Sequence, residues 1–188
     1  GHISILSLRA KGNALAHLPV LANVGAGGGV LPHFAVHGGF TTSFTLVNTG
    51  SAPATATLAF SGVDGLPLPL QFASQSAATL TRSLPAGSSL VLDANANDAL
   101  PTTTGSALLT ADGPVTGFVT LRWTALDRET VVPLETRNAS SYVLPFDNLA
   151  GYTTAIALAN LSPQPASVSV NLRDSTGTLL QSGTVSLP

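Results

Sequence analysis

At 188 residues the chain can bury a core of its own without covalent staples. It contains no cysteine, which excludes a disulfide framework, a thiolate metal site and a cysteine nucleophile. Only 9% of residues are charged, against about 25% in an ordinary globular domain; Lys11 is the sole lysine, the arginines are scattered and the net charge is -2, so no basic stripe exists for a nucleic-acid partner.

In chain order, the first apolar stretch runs from Ala14 to Val36. His17, Pro19, Asn23, the Gly25–Gly29 cluster, Pro32 and His33 break it, so it reads as strand, loop, strand. No run approaches the roughly 18 uninterrupted apolar residues that a spanning helix needs, and membrane insertion is not expected. Period-two alternation then predicts strands over 40–46, where Phe40, Thr42, Phe44 and Leu46 share a face, and over 55–60, where Ala56, Leu58 and Phe60 do. Further strands are expected over 68–72, 78–84, 89–92, 105–110, 118–123, 154–160, 166–172 and 178–185. Turn chemistry separates them at Asn48-Thr49-Gly50, Val63-Asp64-Gly65, Pro85-Ala86-Gly87, Asp112-Gly113-Pro114 and Ser175-Thr176-Gly177. Residues 94–100 are too rich in Asn and Asp for a convincing helix and read as a loop with at most one helical turn. Many short, evenly spaced strands predict an all-β sandwich or barrel.

The chain also matches itself. At an offset of 112, residues 39–68 align without a gap on 151–180, with nine identities in thirty positions: Gly39, Thr41, Thr42, Leu46, Asn48, Pro53, Ala54, Gly65 and Leu68 recur as Gly151, Thr153, Thr154, Leu158, Asn160, Pro165, Ala166, Gly177 and Leu180. Phe44 faces Ile156, Leu58 faces Val170 and Phe60 faces Leu172 in this alignment. A weaker match at an offset of 113 sets Ile5-Leu6-Ser7-Leu8-Arg9 against Phe118-Val119-Thr120-Leu121-Arg122, and Ser186-Leu187-Pro188 resembles Ser83-Leu84-Pro85. The expected fold is an all-β, immunoglobulin-like antiparallel β-sandwich in a tandem repeat of about 112 residues. Residues 31–140 form the complete copy, 1–30 the closing strands of a preceding repeat and 141–188 the first half of a following one. On that division the terminal segments are expected to complete one another by strand addition, within one chain or between neighbours.

Leu31-Pro32-His33-Phe34, the run Gly38 to Asn48, Pro53, Phe60, Asp64-Gly65 and Leu84-Pro85-Ala86-Gly87-Ser88 together resemble β-sandwich repeats of large predicted secreted or surface proteins of environmental bacteria. The resemblance implies export, with any export signal outside this sequence, tandem arrays and a spacer or adhesive role. It carries over no functional residues.

Candidate chemistry is sparse. His33 and His37 are four apart but bracket a strand-to-turn junction without a third ligand at a usual spacing, so loop histidines are expected rather than a zinc pair. Asp93, Asn95 and Asn97 alternate as in a calcium loop, yet Asp98 stands where glycine is needed and Thr104 where a bidentate glutamate belongs; a solvated Asx-rich turn is the preferred reading. Asp127, Glu129 and Glu135 fit an exposed hairpin, where Arg128 and Arg137 would make weak surface pairs rather than leave a general acid and base. Two sequons, Asn138-Ala139-Ser140 and Asn160-Leu161-Ser162, are read as chance, with Asn160 capping a strand end by an Asx turn. Trp123 is expected in the core; exposed beside Tyr142 or Tyr152 it would instead be a sugar-stacking platform. The sequence therefore predicts a non-catalytic structural or adhesive module, secreted or on the cell surface, with no cofactor. Its partners would be neighbouring repeats and a surface glycan or protein, and the alternative is a carbohydrate-binding module.

Overall fold

The computed structural model describes residues 5–21, 27–137, 139–160 and 162–188. The chain begins with a hairpin, β1 (Ser7–Lys11) and β2 (Ala14–Leu18), followed by β3 (Gly28–Val36), β4 (Phe40–Asn48) and β5 (Ala54–Gly62). A small excursion carries β6 (Leu70–Gln71) and β7 (Ser76–Ala77) before β8 (Thr79–Leu84), β9 (Ser89–Ala94), β10 (Thr103–Ala111) and β11 (Val115–Trp123). A 3-10 turn at Thr124–Leu126 leads to β12 (Arg128–Pro133), and β13 (Ala166–Arg173) pairs with β14 (Leu179–Leu187).

Two four-stranded antiparallel sheets lie between Gly28 and Pro133, in the orders β3-β10-β5-β8 and β12-β11-β4-β9. Their inner faces share one core, so the all-β expectation holds in sandwich-like form. Alternation selects those faces. Thr42, Phe44, Leu46 and Asn48 of β4 are buried, as are Ala54, Ala56, Leu58 and Phe60 of β5, while the residues between them face outward. Phe34, Phe44 and Phe60 meet at the centre with ring centroids 5.2–6.2 Å apart, and Phe72, delivered by the β6–β7 excursion, packs against Phe60 at 5.6 Å. Burying each such ring contributes roughly 1.5–3 kcal/mol.

Pairing is not strictly between sequence neighbours. β11 and β4 form the middle of one sheet, with β12 and β9 at its edges, and β10 and β5 the middle of the other, with β3 and β8 at its edges. Strands distant in sequence therefore meet: β3 joins β10, and β11 joins β4. β3 is an edge strand, which is why Pro32 is tolerated there; it sits at a bulge where the register against β10 shifts between Gly105 and Ala107.

Two expectations are corrected. His33 lies within β3, not in a loop, although His37 does occupy the following turn. Beyond Ala94 the Asn-rich segment is the expected loop, closed by Asn97, which accepts the Ala99 amide on its side chain and the Leu100 amide on its carbonyl. Residues 154–160 form no ladder: an extended segment becomes a strand only against a partner, and none is hydrogen-bonded to them here.

The β1–β2 hairpin rests against β12. Arg9, Ala14 and Ala16 share the face turned toward it, with both alanines buried; Leu8 and Leu15 on the opposite face are exposed. Residues 141–188 are largely exposed, including Val143, Tyr152, Ile156, Leu158 and Val170.

Candidate functional site

The turn between β3 and β4 gathers the chemistry-bearing residues from several predicted positions. His37, Gly38 and Gly39 all adopt left-handed backbone, with φ of 69°, 56° and 89°. A β-carbon on Gly38 would lie 2.4 Å from the Thr102 hydroxyl oxygen, so position 38 admits only glycine. His37, which is not glycine, is held in this costly conformation by contacts from three sides. Its Nδ1 accepts the Asn97 amide at 3.0 Å, the Gly39 amide donates to Asp98 Oδ1 at 3.2 Å, and the Gly39 carbonyl accepts both the amide and the hydroxyl of Thr124 at 2.8 and 2.9 Å. The turn thus ties the loop after β9 to the end of β11.

The same stretch holds the calcium candidates. Asp93, on β9, accepts the Ser43 hydroxyl from the neighbouring strand. The Asn95 amide donates to the Gln71 carbonyl at 2.7 Å, and Asn97 closes its own turn. Among the described residues no group of three His, Asp or Glu is arranged to hold a metal ion.

Trp123 stands beside this turn. It is 37% exposed and stacks on Phe40, with ring centroids 5.5 Å apart and planes inclined by 16°. Its five-membered ring lies over Gly39, where a β-carbon would come within 3.4 Å of Nε1. Trp123 is therefore not the core plug expected from alternation: it ends β11 beyond the last buried position, Leu121, where the sheet runs out. Tyr142 lies apart under the Arg137 guanidinium, 5.6 Å from its ring centroid, and Tyr152 is exposed; neither ring pairs with Trp123.

The acidic residues are corrected as well. Glu129 is not a surface partner of Arg128. Its side chain is only 2% exposed and lies between Arg9, at 3.1 Å, and Arg122, at 3.8 Å. Asp127 pairs with Arg122 and accepts the Asn13 amide at 3.0 Å. A carboxylate set between two guanidiniums acts as a clamp that joins β1 to β11 and β12. Glu135 pairs with Arg137, whose hydrogen bonds hold the Glu135 carboxyl down to about 2. Burial in β3 pushes the His33 imidazole below its ordinary value.

Of the sequons, Asn138 and Leu161 lie outside the described residues. Asn160 does form the expected Asx turn: its Oδ1 accepts the Ser162 amide at 3.0 Å, and its Nδ2 donates to the carbonyls of Gln164 and Pro188 at 2.7 and 2.9 Å. Asn48 opens the expected turn, and what sequence reasoning missed is its full burial at the end of β4. Its Oδ1 accepts the Gly50 amide at 2.9 Å, and its Nδ2 faces the carbonyls of Ala52, Leu84 and Pro85 at 2.8–3.1 Å. Its recurrence as Asn160 was the available sign. Among the described residues, one open depression lies over Thr55, Thr57, Thr110 and Asp112 and another beside the Gly62–Asp64 turn. No described helix is long and apolar enough to cross a membrane.

No family model, curated protein or solved structure matches the chain.

Proposed function

We propose that the chain is a non-catalytic structural or adhesive module, built of immunoglobulin-like β-sandwich repeats, from an extracellular bacterial protein. The observation that carries this reading is a corner that occurs twice. Asn48 accepts the amide two residues on and donates to the carbonyl four residues on and to Pro85; Asn160 does the same with Ser162, Gln164 and Pro188. The hairpins beside the two corners share a register: Ala54 opposes Leu84, and Ala166 opposes Leu187, with Thr55–Ser83 and Ser167–Ser186 next along. Two separate stretches thus share a hydrogen-bonding pattern and a hairpin register at residues that the sequence alignment pairs, which supports the repeat reading; the β5–β8 connection has the longer excursion. The term immunoglobulin-like applies to β4, β5, β9 and β10, which pair as the second, third, fifth and sixth strands of that fold do. β3 and β11 have exchanged sheets relative to it. The secreted setting and the spacer role rest on the motif resemblance.

In this role the polar residues serve the scaffold: the His37 turn, the Asn corners and the Glu129 clamp all join strand ends. One observation favours a second reading, carbohydrate binding, because Trp123 leaves part of its indole open to solvent. A glycan array probed with the full chain separates the two. Background signal throughout is the expected result; a glycan retained by the chain and lost with Trp123→Ala would make sugar binding the function.

A further inference from the structure

We propose that copies of this chain join head to tail, the β1–β2 hairpin of one seating on residues 152–173 of the next. The inference rests on the repeat reading above and uses its register. In the complete unit, Phe44 opposes Val119 and Thr42 opposes Leu121 across the β4–β11 ladder, and Phe44, Val119, Leu46 and Leu121 are 0–6% exposed. The alignment carries Phe44 and Leu46 onto Ile156 and Leu158, and Val119 and Leu121 onto Leu6 and Leu8. All four of these counterparts are exposed: Ile156 by 54%, Leu158 by 42%, Leu6 by 69% and Leu8 by 55%. Val170, the counterpart of the fully buried Leu58, is 40% exposed.

One chain therefore presents two halves of the same ladder, each with its core residues in water. They do not cover one another in the chain as folded, where all four are exposed, and the hairpin's other face is fastened to β12 through Arg9 and Glu129. That fastening leaves the Leu6 and Leu8 face outward. Segment 154–160 belongs to no ladder and can add along the edge of β1 not paired with β2, with the Thr154 amide exchanging its bond to Asn148 Oδ1. The register places Leu6 opposite Ile156 and Leu8 opposite Thr154. Because the two surfaces differ, the contact is heterologous and propagates into a linear array unless it closes into a ring.

The absence of native cysteine makes the test direct. Full-length Leu6→Cys and Ile156→Cys variants are oxidised separately and as a mixture, and read on a non-reducing gel; cross-strand neighbours lie within disulfide reach. The expected result is a linked dimer from the mixture and none from either variant alone. Light scattering across a concentration series should show mass rising with concentration for the unmodified chain, with association weakened about tenfold or more by Leu8→Asp. The exposed Val63→Asp control should leave association unchanged. An unlinked mixture, self-linking as strong as the mixed product, or a chain monomeric at every concentration would overturn the proposal. A glycan-array hit would overturn the structural reading and leave this result untouched, so the two failures are distinguishable.

Discussion

Asn48 concentrates the residue-scale logic. A carboxamide that is fully buried is tolerable only if its donors and acceptor are used, and here the β4 end, the Gly50 turn and the β8 end are joined through it. Asn48→Leu keeps the bulk but orphans the Leu84 and Pro85 carbonyls and the Gly50 amide. A loss of about 2–3 kcal/mol in urea-unfolding free energy is expected, against about 1 kcal/mol or less for the half-buried Asn160→Leu. Two titrations bear on stability in separate pH windows, both weakening the fold as pH falls. Glu135 has a native value near 2, below that of the unfolded chain, so its contribution is complete above the ordinary carboxylate range and fades as pH falls toward 2. The pair is partly exposed and worth about 1 kcal/mol or less, and Glu135→Gln should flatten that part of the stability profile. His33 is lowered as well: the unfolded chain takes up a proton first, so stability should fall as pH drops through about 6.5, and His33→Gln should remove that slope.

At the scale of elements, the question is what fastens the β1–β2 hairpin. Its apolar contribution to β12 is two alanines, which is small, so the charged clamp carries a larger share than in the sandwich interior. Glu129→Ala would take away the partner of Arg9 and leave Arg122 paired with Asp127 alone, and should cost about 1.5–3 kcal/mol. The same substitution should free the hairpin, seen as faster amide exchange across Ser7–Leu18 while the β4 and β5 amides remain protected. In the sandwich itself, Phe60→Ala removes the ring shared by Phe34, Phe44 and Phe72 and should cost about 3–5 kcal/mol in the same unfolding measurement.

At the scale of the molecule, alternation along each strand made the all-β fold and most of its strands legible, because period-two burial is a local property written in every pair of neighbouring residues. β4, β5, β10, β11 and β13 fall where Phe40–Leu46, Ala56–Phe60, Gly105–Thr110, Phe118–Trp123 and Ala166–Leu172 placed them. The turns at Asp64-Gly65 and Asp174–Gly177 likewise follow from side-chain carboxylates accepting the amides just beyond them. The sequence by itself determined strand faces, turn positions and the self-alignment that paired Asn48 with Asn160. Only the tertiary structure decided which strands pair. Choosing β10 rather than β4 as the partner of β3, burying Glu129 between Arg9 and Arg122, leaving 154–160 without a ladder and bringing Trp123 to an exposed sheet end all depend on contacts between residues far apart in the chain. Local periodicity fixes which side of a strand is apolar and carries no information about the strand that will cover it.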